Sequence, residues 1–340
     1  MLDRRSFVGL LGATGAALAL GGCGGDAPSA APSPEPVAEP AQMRVVALKG
    51  PTAMGLVRLM SESEAGDVTD VSCTFELKAS PDEVVPLLAK GEVDVAAIPS
   101  NLASVLYNKT QGGVRAICVN TLGVLYVVGH GSGVSRVADL AGRTVYAAGK
   151  GATPEYALAY VLTANGLAMG DDVDVQWCSE HAECVAALAK DPEALALLPQ
   201  PFVTTAQMKD GSLGVVLDLN EEWRAAASAS GQGGSLVTGV AVVRSEYADE
   251  HPDAVGAFLA HYRESVDYVA SDVAGAARLV GDYGIVPEAV AERALPECNI
   301  VCQTGAEMRD GLEGYLQALF DQNPQAVGGA MPGDDFYYGA

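Results

Sequence analysis

Four short stretches place small or hydrogen-bonding residues where backbone amides can meet a ligand. They are Gly50-Pro51-Thr52-Ala53, Pro99-Ser100-Asn101, Gly149-Lys150-Gly151-Ala152-Thr153-Pro154 and Gln200-Pro201. Each follows an apolar run with strand character and opens a helical pattern. At such a junction the first helical N–H groups lack partners and the helix dipole is positive, so an anion or a polar acceptor is favoured. That chemistry is binding. Lys49 and Lys150 are the available cations. Thr52, Ser100 and Thr153 add hydroxyls, which would serve equally well as ordinary helix caps. No arginine stands beside the junctions to clamp an oxyanion through two N–H bonds. The openings suit nitrate, bicarbonate or a sulfonate, and equally the polar edge of a ring; the missing arginine favours a neutral or aromatic ligand.

Other arrangements carry less. In Gly149-Lys150-Gly151 no serine or threonine follows the lysine directly, as a nucleotide-binding P-loop requires, so ATP hydrolysis belongs to a separate subunit. Cys178-Ser-Glu-His181-Ala-Glu-Cys184 has metal-like spacing without an evident fourth ligand. A disulfide or plain burial is the better reading, and no metal or cofactor is expected. The four histidines (130, 181, 251 and 261) show no triad arrangement. Glu221-Glu222 and Asp334-Asp335 read as solvated charge. No catalytic residue is expected.

Strands alternating with helices must position these junctions. Strand-like runs occur at 44–48, 71–77, 94–98, 144–148, 173–177, 194–198 and 214–218. Ser80-Pro81-Asp82-Glu83 is a capped helix start, and Lys90-Gly91 a stop. The alternation implies an α/β fold with mostly parallel sheets covered by helices on both faces. Two long strand-like segments, 123–128 and 236–243, interrupt it, and amphipathic helices follow at 252–270, 272–282, 287–295 and 305–321. The order predicts two lobes with two chain crossings: 43–128 plus 237–340 as lobe 1, and 129–236 inserted as lobe 2. A ligand would be enclosed between them. Tyr126 on the first crossing strand, and Thr238 and Gly239 on the second, are placed to face that cleft; Tyr126 could stack on a flat ligand.

The N-terminus supplies an address. Arg4-Arg5-Ser6-Phe7, an apolar run from Val8 to Leu20, and Leu20-Gly21-Gly22-Cys23 form a lipoprotein-type export signal with a twin-arginine-like start. Residues 1–22 would be removed and Cys23 would carry lipid, tethering the protein outside the cytoplasmic membrane. Residues 23–42, rich in Pro and Ala, are expected to be a disordered linker. The chain of 340 residues holds 43 acidic and 20 basic residues, a net charge of −23. That excludes nucleic acid, whose phosphates demand a basic surface, as a partner. Cys73, Cys118, Cys178, Cys184, Cys298 and Cys302 are an even remainder after Cys23, compatible with disulfides or free thiols.

Lys49-Gly50-Pro51-Thr52, Gly91-Glu-Val-Asp-Val-Ala-Ala-Ile-Pro-Ser-Asn101, Asp139-Leu-Ala-Gly-Arg143 and Leu198-Pro-Gln-Pro-Phe-Val-Thr204 occur in one order across the body. In this the chain resembles the substrate-binding lipoproteins of bacterial ABC importers, especially the nitrate, sulfonate, taurine and thiamine-precursor group. The tail Asn323-Pro-Gln-Ala-Val-Gly-Gly329 resembles one branch of it. The resemblance implies the two-lobed type II periplasmic-binding-protein fold, a monomer that does no chemistry, a permease partner and, through it, an ATPase. The junctions and the crossing strands make Lys49, Gly50, Pro51, Thr52, Ala53, Ser100, Asn101, Tyr126, Gly151, Ala152, Thr153, Gln200, Pro201, Thr238 and Gly239 the candidate ligand contacts. Two rivals remain at this stage: an enzyme on the same fold, similar to menaquinone- or thiamine-pathway proteins, and a sensor lipoprotein that feeds no transporter.

Overall fold

The computed structural model describes residues 40–131, 133–229 and 234–340; the export signal, Cys23 and the linker up to Glu39 lie outside the described residues. Pro40–Ala340 forms one unit. Its strands are β1 (Ala41–Leu48), β2 (Val71–Lys78), β3 (Val95–Pro99), β4 (Val114–Thr121), β5 (Leu125–Gly129), β6 (Thr144–Ala148), β7 (Asp174–Cys178), β8 (Leu195–Pro199), β9 (Gly214–Asp218), β10 (Gly239–Arg244) and β11 (Ile300–Gln303). Ala41 and Gln42, read as spacer, belong to β1 because they pair with Val71 and Ser72 of β2.

The strands form two sheets, ordered β11-β4-β10-β3-β1-β2 and β7-β6-β8-β5-β9. In the first, β2, β1 and β3 pair in parallel, and β10 lies antiparallel between β3 and β4. In the second, β7, β6 and β8 pair in parallel, and β5 lies antiparallel between β8 and β9. The fold is therefore α/β, with each parallel set interrupted by one strand that has just crossed over. Residues 125–128, grouped by sequence with the first lobe, are hydrogen-bonded in the second sheet. They need that central place because both faces of β5 are apolar and buried.

Alternation along each strand divides the core. Val46 and Leu48 of β1 face a layer that also holds Leu125 and Val127 of β5, Val145 of β6, Trp223 and Tyr315. Val45 and Ala47 face the opposite side, with Phe258 and Tyr262. Tyr126 and Val128 face a third layer with Leu198 and Val203. The two sheets thus share one apolar layer, in which each fully buried Val or Leu contributes about 1.5–3 kcal/mol. Tyr160, Trp223 and Tyr315 stack in series within it, with ring centroids 4.1 and 5.4 Å apart.

Local signals explain the element boundaries. The helix Pro81–Ala89 starts on a capping box: Asp82 N donates to Ser80 Oγ at 3.2 Å, and Ser80 N to Glu83 Oε1 at 3.2 Å. Asp94 enters β3 almost fully buried and accepts bonds from Arg44 Nε (2.9 Å), Arg44 Nη2 (2.7 Å) and Arg244 Nη2 (3.2 Å). It joins β1, β3 and β10 at one end of the sheet. All six cysteines among the described residues are free thiols, so neither Cys178 and Cys184 nor Cys298 and Cys302 are bridged. Burial pushes the Cys184 and Cys298 thiols up to about 12. Among the described residues no helix is long and apolar enough to cross a membrane.

Candidate binding cavity

The C-terminal ends of β1, β3, β6, β7 and β8 deliver the chain into helices that begin at Pro51, Ser100, Thr153, His181 and Phe202. Those junctions meet around a cavity of about 450 Å³, at the crossings between the two sheets. Ligand sites in open α/β sheets form at such strand ends. Lys49, Gly50, Pro51 and Thr52 line it from the first sheet, with Pro99 and Thr238; Ala152, Thr153 and Pro201 line it from the second. Each of the four junctions singled out in the sequence therefore contributes to one space.

Several candidates stand behind the wall. Ala53 is fully buried in the first sheet's outer core. Ser100 is buried, its Oγ donating to Val237 O and its N to Thr238 O at 3.2 Å; Pro99 lines the cavity in its place. Asn101 is buried too, with Nδ2 donating to Ala326 O at 3.2 Å. Tyr126 packs in the second sheet's outer core, its hydroxyl 3.4 Å from Glu297 O. It does not offer a stacking face. Gly151 is exposed beside the cavity and donates its N–H to Glu155 Oε2 at 2.5 Å. Gln200 turns inward, its Oε1 accepting from Thr204 Oγ1 at 2.9 Å. Gly239 sits one layer back, where a Cβ would come within 2.6 Å of Asn120 Oδ1 and Thr52 Cγ2.

The wall also holds residues that sequence reasoning did not select. Phe202 and His181 face the space with ring centroids 4.9 Å apart. Burial pushes the His181 imidazole down to about 4, so it is neutral at physiological pH. Pro81, Glu180, Thr121, Ile285 and Val286 complete this part of the lining. His181 was legible as a strand-end junction after β7; its position between Cys178 and Cys184 drew attention to metal spacing instead. Among the described residues no group of three or more His, Cys, Asp or Glu gathers as a metal site. Ile285 and Val286 come from a link between two late helices and carry no local signal.

Polar atoms knit the two sides together below the cavity. Thr153 Oγ1 lies 3.5 Å from Asn101 Oδ1 and accepts from the Tyr315 hydroxyl at 3.2 Å. Lys49 Nζ donates to Gly284 O at 2.9 Å.

A family model described as the periplasmic substrate-binding protein of a phosphonate ABC transporter matches residues 64–266. No curated protein matches the sequence significantly. Solved structures do. An ABC transporter protein from Parabacteroides distasonis aligns with a TM-score of 0.71 and 22% identity, over 87% of this chain and 98% of the other. The periplasmic aliphatic sulphonate binding protein SsuA from Escherichia coli aligns with a TM-score of 0.67 and 17% identity, over 84% and 88%. The periplasmic nitrate-binding protein NrtA from Synechocystis aligns with a TM-score of 0.55 and 14% identity, over 74% and 69%. At these identities the likeness is one of fold.

Proposed function

We propose a role that proceeds from family: the chain belongs to the periplasmic substrate-binding proteins of phosphonate-type ABC transporters. Members bind a small solute outside the cytoplasm and hand it to a permease. Our reading of this member is a lipid-anchored receptor, held at the outer face of the cell membrane through Cys23, acting as a monomer. Its two sheets close on the solute in the cavity between them, and the loaded form docks on the permease, whose ATPase drives uptake. The observation that carries this reading is the convergence of four strand-to-helix junctions, two from each sheet, on one cavity of about 450 Å³. Its size falls in the range of small-molecule sites, about 300–1,000 Å³.

Two measurements test it. Cys23→Ala should release the protein from the membrane fraction; equal membrane retention of that variant would count against the lipid anchor. Site-specific photocrosslinking in cells should capture a permease when solute is supplied. Capture of no membrane component would instead favour a receptor that feeds no transporter.

A further inference from the structure

We propose that the cavity takes a neutral organic solute with a ring-sized apolar body, hydrogen-bonded by Thr238 and His181, and that it does not take an oxyanion. This rests on the receptor reading above and names the solute class for the same cavity.

Charge is the first ground. Among the described residues the wall carries one lysine, one glutamate and no arginine. Lys49 already donates to the Gly284 carbonyl. A phosphonate or sulfonate taken out of water needs charge-assisted N–H donors, best supplied by a guanidinium fork. Here the nearest charges oppose each other. His181 adds none, because its burial keeps the ring neutral.

Backbone donors are the second ground. The junctions looked suited to an anion because helix N-termini expose N–H groups. In the folded chain several of those groups are absent or used. Pro51 and Pro81 open their helices, Pro154 takes the second position and Pro201 the cap, and proline has no N–H to give. The N–H of Ser100 goes to Thr238 O, that of Ala152 to Gly149 O and that of Thr204 to Gln200 Oε1.

What remains unpaired is the third ground. Thr238 Oγ1 and His181 Nδ1 are buried and have no hydrogen-bond partner among the described residues. Both residues belong to the wall. An unpaired buried polar atom carries its full desolvation cost, which a partner on a bound solute removes. One unpaired hydroxyl, one neutral imidazole and the Phe202 ring face a space whose other lining is mostly proline, glycine and aliphatic carbon, with Thr52 and Thr153 hydroxyls already bonded within the protein. That set recognises an uncharged ring with hydrogen-bonding groups on its edge.

The test is isothermal titration of the purified full chain with two panels at low and high sodium chloride. Cytosine, thymine and nicotinamide represent neutral rings; methylphosphonate, ethanesulfonate and nitrate represent oxyanions. We expect at least one neutral ring to bind with an affinity that salt does not change. Thr238→Val, close to isosteric, and His181→Phe should each weaken that binding about tenfold, the loss of one hydrogen bond, while circular dichroism and melting temperature certify the fold. Salt-sensitive binding of any oxyanion overturns the assignment, as does failure of every neutral ring to bind. Neither result touches the receptor reading, which stands or falls on the permease crosslink.

Discussion

At the scale of single residues, the layer behind the cavity wall is intolerant at Gly239. A methyl there would lie 2.6 Å from both Asn120 Oδ1 and Thr52 Cγ2. Gly239→Ala should cost about 1–3 kcal/mol, the usual toll of overpacking, and shift Thr52 at the cavity edge; chemical denaturation reads the first effect and titration the second. His181 sets a pH dependence. Its imidazole titrates near 6.5 when unfolded and at about 4 when folded, because burial disfavours the charged form. Between those values the unfolded chain takes up a proton that the folded chain refuses, so stability falls as pH drops from 6.5 toward 4, by about 3 kcal/mol at the end. Urea unfolding at pH 7 and pH 4.5 should show the loss in the wild type and a flatter dependence in His181→Phe. Asp94 acts in a lower window. Burial alone would raise its pKa, but bonds from Arg44 and Arg244 hold it below 3.8. Its contribution is complete above that pH and vanishes as pH falls through the folded value. Asp94→Asn should destabilise by about 1–3 kcal/mol at pH 7, because Arg44 loses its carboxylate while its exposure and the Arg244–Glu246 pair soften the loss.

At the scale of elements, much was readable because the signals are local. The run 144–148 is β6 and 214–218 is β9, residue for residue. Ser80 caps the helix that its side-chain chemistry demanded. Ser80→Ala should lower stability by about 1 kcal/mol, measurable as a small drop in denaturation midpoint with unchanged slope. β4 and β11 were missed. β4 is apolar on both faces, so its period is hidden, and it carries Arg115 and Asn120 within the run. β11 has four residues and an irregular pairing with β4. Helix starts proved legible as positions and only partly as donors. Whether a junction offers its N–H groups depends on carbonyls far away in sequence, such as Thr238 O beside Ser100. Sequence places Ser100 at a junction; only packing reveals that Pro99 is the residue at the surface of the cavity.

At the scale of the whole described unit, the shared apolar layer governs behaviour. Because one core layer holds residues of both sheets, the two halves should melt in a single calorimetric transition; two resolved transitions would contradict a common core. Trp223 bridges Tyr160 and Tyr315 at the middle of that layer. Trp223→Ala should cost about 3–5 kcal/mol and is the variant most apt to split the transition in two. The crossing strands have one more consequence, which lies in time. During synthesis the second sheet can complete itself from residues 125–218, since β5 through β9 leave the ribosome consecutively. The first sheet cannot: β3 and β4 have no contact partner between them until β10 emerges at 239–244. At about 5–20 residues per second, the older half waits several seconds with two open edges while the younger half is already paired. Of the two halves, the one made second is the one whose strands can all find their pairing partners first.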